Sequence, residues 1–548
     1  MDRTKPPEKE YAMAAAVRGA YRAGEEDEAM EPRVLMDLSG TPVGRMEAGD
    51  YVIFYDIRGE REIELTESLT DPTFNAFPTK KDLRLNFVTM IQYDEQLKVK
   101  VAFPPTEAVC HTLSEVISEN GLRQVKIVES EKVIHVNFFF NGKKKDPLPL
   151  EERIIIPSPK DVVSYDQTPE LSIALVTEAI IEKIQDPAYD LIIANFANVD
   201  VIGHIENAEA IKRAVETVDT YVGIVVEAAK EAGLTTILTA DHGTVEKWLY
   251  PDGAIDTGHT DSPVPFILLD PNRNTDTKES ISLRAGGALS DVAPTILNLF
   301  GLPKPEEMTG RSLLETYPPS WLPKKRVLLL ILDGWGHRDQ LEGNLIRQSH
   351  TQIMDNLQAK YPWTRLQAAG EAVGMPPGTV GNSEAGHLHL GAGRTVYSDR
   401  VKIDKAIQDG TFFENEAFRW AMQGCKREGT RLHLLGIISF YSSHGPVDYP
   451  LALLKLARRK GVPEVFLHGM LGRRCEHPES GANYVEFIER EMERLGLGKV
   501  VSIIGRFWAL DREENWDRVE KTYRLLVFGE GKPVKELDNE PFTTKSGI

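Results

Sequence analysis

Short apolar blocks punctuate this chain, and most are followed by a polar loop and then by a stretch with helical spacing. Residues 51–55, Tyr-Val-Ile-Phe-Tyr, read as a strand ending in the charged run Asp56-Ile57-Arg58-Gly59-Glu60-Arg61. Upstream, the alanine-rich residues 8–23 predict a helix that stops at Gly24. From about residue 105 the alternation becomes regular. A helix is expected near 107–120, strands at 124–128, 133–140, 191–195, 235–238 and 327–332, and a long helix at 211–232. Strand, loop and helix in repetition predict an α/β fold with a mostly parallel sheet flanked by helices. In such sheets the chemistry collects at the carboxyl ends of the strands.

The proline-bearing residues 315–325 read as a linker into the strand at 327–332. After about 399 the pattern restarts, with strands at 432–438, 464–468 and 500–504 and a helix at 450–459. A second α/β unit is therefore expected. No internal repeat or low-complexity segment interrupts the series.

Composition narrows the partners. The chain has 548 residues, with Lys+Arg 64 against Asp+Glu 83 and a net charge of −19. That balance argues against nucleic acid or an anionic membrane as the main partner. It still permits a small anion held by locally gathered arginines or metal ions. Cys110, Cys425 and Cys475 are an odd number at long spacings, so neither a disulfide framework nor a cysteine metal site is expected, and a reducing cytoplasm is the default. Residues 1–10 lack the apolar core of a signal peptide, and the run 327–332 is far too short to span a bilayer.

The candidate chemistry sits at strand ends. Asp333 directly follows the apolar run 327–332, Asp241 and His242 come shortly after 235–238, and Asp200 and His204 share one face of a helical turn after 191–195. His259 adds a further imidazole. Mixed carboxylate and imidazole donors suit manganese, zinc or iron, and a pair of divalent ions can clamp both oxygens of a phosphoryl transfer. Ser383, in Gly381-Asn382-Ser383-Glu384-Ala385-Gly386-His387, precedes a helix-compatible run, where backbone N–H groups and the helix dipole face an anion. Taken singly these are ordinary features, since Gly-Asn-Ser caps helices and Asp-His pairs occur in turns. Gathered at the strand ends of one α/β region, they favour a metal centre.

Together, Leu-Asp-Gly-Trp-Gly at Asp333, the Ser383 heptad, Asp200 to His204, Thr-Ala-Asp-His-Gly at 239–243 and His259 resemble the cofactor-independent phosphoglycerate mutases, metalloenzymes of the alkaline phosphatase superfamily. The resemblance implies two divalent ions, Mn2+ first with Zn2+ or Co2+ as alternatives, and no bisphosphoglycerate cofactor. Asp200, His204 and His259 would hold one ion. Asp333, Ser383, Asp241 and His242 would hold the other, with Ser383 as the phosphate-accepting nucleophile. Lys132 matches the family's active-site lysine, and Arg58, Arg61, His444, Arg474, Arg506 and Arg512 match its substrate-binding residues. The substrate would be a small phosphorylated molecule and the protein a monomer.

Two departures qualify the resemblance. The segment order is permuted: the part around Asp333 and Ser383 follows the part that closes family members. On this reading residues 105–398 form a phosphatase-like metal-binding domain, and a substrate-binding cap is assembled from 1–104 and 399–548, tolerable where termini lie in a surface loop. Second, Phe440-Tyr441-Ser442-Ser443 replaces the family's Asp-Gly-Gly-Val, and Gly472-Arg473-Arg474-Cys475 replaces Asp-Gly-Arg-Asp. Carboxylates expected to orient the substrate or move protons are missing there. Mutase chemistry is the first expectation. A phosphomonoesterase or phosphotransferase with another substrate, and a non-catalytic binding relative, stand as alternatives.

Overall fold

The computed structural model describes residues 10–105, 108–160, 164–271, 281–318, 321–324, 326–440, 442, 444–472 and 480–536. The chain forms two compact units, one continuous from Thr106 to Val401 and one made of Met1–Pro105 together with Lys402–Ile548. Each is a mostly parallel sheet flanked by helices.

In the continuous unit the sheet order is Gly287–Ala288, Trp363–Gln367, Val264–Leu269, Thr235–Thr239, Val327–Leu332, Leu191–Phe196, Gln124–Glu129 and Glu151–Ile156. The five strands from Thr235–Thr239 to Glu151–Ile156 are parallel, and Val264–Leu269 runs against both its neighbours. Every residue of Val327–Leu332 and Leu191–Phe196 is buried, as unbroken apolar runs require when helices cover both faces of a sheet. The long helix Ala208–Glu231 starts at Asn207, whose side chain accepts from Ala210 N, and buries Ile211, Val215, Val218, Val222 and Val225. Register matters most for function. Ile331 lies opposite both Asn195 and Thr239, so three strands end level and release Asp333, residues 197–200 and residues 240–242 side by side.

Two local expectations give way. Residues 133–140 form no strand: His135–Phe139 is a π-helical turn with Val136 and Asn137 buried. Val136 and Phe140 are buried by helical packing near Ser383–Ala392, where a side chain on Gly391 would strike Phe140 O, while Ile134 stays exposed. Nor do the described residues of 315–325 form a free linker. Leu314–Thr316 pairs with Ser282–Leu283, and Trp321 donates from Nε1 to Asp270 Oδ2 at 2.5 Å.

The split unit orders its sheet as Lys532–Lys535, Arg33–Met36, Lys499–Gly505, Val465–Leu471, Leu432–Ile437, Tyr51–Phe54, Asn86–Ile91 and Lys100–Phe103. Only the contact of Arg33–Met36 with Lys499–Gly505 is antiparallel. Leu432–Ile437 lies beside Tyr51–Phe54, so both chain segments build one core. Among the described residues, no helix is long and apolar enough to cross a membrane.

Candidate metal centre

The level strand ends of the continuous unit bring together every residue the sequence singled out there. Lys132 Nζ lies 2.6 Å from Asp200 Oδ2, 2.7 Å from Asp333 Oδ1 and 2.8 Å from Ser383 Oγ. His242 Nε2 lies 2.9 Å from Ser383 Oγ, 3.4 Å from Asp241 Oδ2 and 3.6 Å from Asp333 Oδ1. His259 Nε2 and His204 Nε2 approach Asp200 Oδ1 at 3.1 and 3.4 Å, and each other at 3.2 Å.

The imidazoles are oriented from behind. His204 donates from Nδ1 to Thr257 O at 2.7 Å and His259 from Nδ1 to Gly381 O at 3.0 Å; His242 Nδ1 is 3.1 Å from Gly243 O. A carbonyl only accepts, so Nδ1 carries the proton and a neutral ring turns its Nε2 lone pair toward the carboxylates. Facing lone pairs at 3.2 Å repel one another unless a proton or a metal cation lies between them, and Asp200 raises the His204 pKa. Asp241 Oδ2 points the same way: it is buried and, among the described residues, accepts no hydrogen bond. Three carboxylates and one ammonium sum to −2. Asp200, His242 and His259 form one compact donor group and Asp241, His242 and Asp333 a second. This mixed oxygen and nitrogen set fits first-row divalent ions.

Burial works against the Lys132 charge, but Asp333, Asp200 and Asp241 outweigh it and push its pKa above the ordinary lysine range. Burial likewise works against the Asp200 carboxylate, yet the Lys132 ammonium holds its pKa well below normal. Lys132 and Asp200 are thus held in their charged forms, whereas burial and the neighbouring Asp241 raise the Asp333 carboxyl.

The serine is presented by helix Ser383–Ala392. Asn382 caps it by accepting from Ala385 N at 2.8 Å, which fixes Ser383 as the first helical residue. Gly386 allows the close approach, since a Cβ there would lie 2.5 Å from Asp241 O and 2.7 Å from Asp241 Cβ. Two further residues belong to the centre and went unassigned in the sequence. His387 donates from Nδ1 to Ser383 O at 2.9 Å and lies 3.2 Å from Asp241 Oδ2, while Asn195 donates to Asp333 Oδ2 at 2.9 Å. The spacing of four between Ser383 and His387 was the available signal for the histidine. Asn195 lay hidden inside an apolar strand.

The remaining candidates lie in the split unit. Arg58 Nε and Arg512 Nη1 donate to the same Glu60 Oε1, at 3.1 and 2.8 Å, and Arg61 donates to Leu510 O at 3.3 Å. Two loops therefore gather three guanidinium groups. Arg506 opens the short helix Arg506–Ala509 and is buried, with Nε 3.7 Å from Glu28 Oε1. His444 is fully buried, its Nδ1 2.6 Å from Glu62 Oε1. Arg474 lies outside the described residues, as do Tyr441, Ser443, Arg473 and Cys475.

A parallel-sheet unit that gathers carboxylates, imidazoles and a serine at its strand ends has the build of a metal-binding protein. Consistent with that class, residues 34–304 match the family model of the metalloenzyme superfamily. Residues 403–544 match a second model, described as the N-terminus of the BPG-independent phosphoglycerate mutases. The chain is 44% identical over 303 residues to a 2,3-bisphosphoglycerate-independent phosphoglycerate mutase of Syntrophotalea carbinolica, covering 55% of this chain and 57% of that one. With the enzyme of the same name from Thermosynechococcus vestitus it is 45% identical over 277 residues, covering 50% and 52%. The chain thus spans a little over half the length of these curated relatives. A solved Leishmania mexicana phosphoglycerate mutase, described at low cobalt concentration, shares 27% identity over 51% of this chain and 53% of its own, with a TM-score of 0.37.

Proposed function

We propose that this chain interconverts 3-phosphoglycerate and 2-phosphoglycerate through a phosphoserine on Ser383, with two divalent ions and no bisphosphoglycerate. The observation that carries this reading is the contact of Ser383 Oγ with both Lys132 Nζ and His242 Nε2 at a helix N-terminus. The names of the relatives supply the substrate and do not favour the phosphatase or non-catalytic alternatives. Asp200, His204 and His259 would hold one ion, and Asp241, His242, Asp333 and Ser383 the other, with Mn2+ as the first expectation. When bound, these ions supply positive charge that activates a hydroxyl and offsets the charge of a transferring phosphoryl group.

The chain's own residues account for the rest. Ser383 Oγ gives up its proton as it attacks phosphorus in line, the bond from phosphorus to the glycerate oxygen breaks, and that oxygen takes up the proton in exchange. Lys132, cationic and within hydrogen-bond reach of Oγ, donates to the phosphoryl oxygens as charge develops. The other glycerate hydroxyl then attacks, the bond from Oγ to phosphorus breaks, and Ser383 is restored. Arg58, Arg61, Arg474, Arg506, Arg512 and His444 would retain the glycerate meanwhile. In this reading residues 105–398 act as the phosphatase-like domain, and 1–104 with 399–548 as the substrate-binding cap of a cytoplasmic monomer. A permuted segment order is part of the proposal. Its support is that a model described as an N-terminus matches residues downstream of the metalloenzyme match.

The test is 31P NMR of 3-phosphoglycerate mixed with wild type or Ser383→Ala in one Mn2+ buffer. Wild type should reach the equilibrium mixture, and the variant should lose activity on the order of 10^3-fold or more, as expected for a lost nucleophile. Equal activity of the two, or release of phosphate without interconversion, would overturn the proposal.

A further inference from the structure

The split unit contains a second convergence of donors, built from Asp56 after the strand Tyr51–Phe54, Glu62 before the helix Ile63–Thr70, and His444. All three side chains are 0% exposed. One donor atom from each lies within 4.8 Å of the others. His444 Nδ1 is 2.6 Å from Glu62 Oε1 and 3.9 Å from Asp56 Oδ2.

The hydrogen bonds of this cluster do not close. Asp56 Oδ1 accepts from Ile437 N at 2.9 Å, but among the described residues the buried Asp56 Oδ2, Glu62 Oε2 and His444 Nε2 have no hydrogen-bond partner. Buried polar atoms are nearly always satisfied, and an unpaired buried charge is costlier still. With a neutral imidazole the group carries −2. Burial raises the Asp56 carboxyl well above the usual range and Glu62 adds to this, while Arg506 opposes by less. A proton on Asp56 would cancel only one of the two charges. The scaffold holds the three in place: Ile57 donates to His444 O at 2.7 Å, and Tyr93 donates from its hydroxyl to Asp56 O at 2.7 Å and Phe54 O at 3.1 Å.

We infer that Asp56, Glu62 and His444 form a divalent-cation site within the split unit, separate from the donors of the continuous unit. Two carboxylates and one imidazole select a first-row ion such as Zn2+ or Mn2+ over Mg2+ or Ca2+, which favour all-oxygen shells. A cation on Nδ1 takes the place of the proton shared with Glu62 and neutralises both carboxylates; Nε2 is not part of the site. The inference stands on this cluster alone and survives the failure of the phosphoserine mechanism. The experiment is equilibrium dialysis of the full-length protein against Zn2+ or Mn2+, with bound ions counted by mass spectrometry for wild type, Asp56→Asn and Glu62→Gln. Each variant should bind one ion fewer per chain than wild type, whatever the total. Equal counts overturn the inference. Should neither variant fold, wild-type crystals grown with Mn2+ decide the matter: an anomalous peak among the three side chains supports the site, and its absence overturns it.

Discussion

Gly386→Ala adds one methyl group at the place where the serine helix touches the Asp241 loop. The new Cβ would stand 2.5 Å from Asp241 O and 2.7 Å from Asp241 Cβ. That is closer by about 1 Å than the optimal separation of non-bonded carbon atoms, and both neighbours are parts of the fixed scaffold. Alanine in a helix interior gains about 0.5–1 kcal/mol over glycine, whereas forcing an extra group into a packed contact costs about 1–3 kcal/mol. Net destabilisation should therefore be modest. Activity should suffer more, because the relief must come from moving either Ser383 or Asp241 and His242. A misplacement of about 1 Å at a reacting group lowers the rate on the order of 10^2-fold, equal to about 2.7 kcal/mol of barrier. The assay is phosphoglycerate interconversion by 31P NMR at saturating Mn2+, with thermal unfolding measured alongside. Gly19→Ala is the control: in helix Ala12–Arg22 its Cβ would meet only the Arg22 side chain, at 3.9 Å, so activity should not change. A Gly386→Ala protein within twofold of wild type would refute the claim that this contact sets the serine's position.

Two other outcomes follow from buried charges. Lys132→Met leaves Asp200 and Asp333 without their shared cation, so metal-free protein should lose about 3–5 kcal/mol of stability. Saturating Mn2+ should recover much of that loss, and chemical denaturation with and without metal measures it; an identical loss in both buffers contradicts the assigned donors. Glu489 accepts from Met13 N and Ala14 N at 3.1 and 3.0 Å, yet burial prevails and raises its carboxyl to about 7. A carboxyl raised on folding contributes stability below its unfolded value, near 4.5, that is lost as pH rises through about 7. Glu489→Gln should therefore flatten the fall in melting temperature between pH 5 and pH 8, and an unchanged slope would remove Glu489 as its source.

The strand ends were legible because an apolar run that stops at an aspartate is a local signal, as at Leu332-Asp333 and Ala240-Asp241. The α/β class with helix-flanked sheets followed from the same repetition and is what both units display. Residues 133–140 misled because Val, Ile and Phe suit a strand on propensity, while burial against the serine helix decided the outcome. Asn195 could not be seen, since an amide inside Leu-Ile-Ile-Ala-Asn-Phe reads as one polar interruption until strand register sets it beside Asp333. Asp56 read only as the start of a charged run and Glu62 carried no assignment, and only the fold turns them inward toward His444. No periodicity reports that Tyr51–Phe54 and Leu432–Ile437 are neighbours, because pairing across so many residues leaves no local trace.

That pairing also sets a timetable on the ribosome. Tyr51–Phe54 emerges early, but its partner Leu432–Ile437 is synthesised about 380 residues later, a wait of roughly 20–80 s at ordinary elongation rates. The continuous unit has all of its strands by Gln367 and can condense in the interval. Through that time the first hundred residues carry the open edge of Tyr51–Phe54, with Val52, Ile53 and Phe54 uncovered. Such an edge invites pairing with other chains. Slowing translation should therefore tax this protein's yield, and holdase chaperones that shield nascent β-edges should relieve the loss.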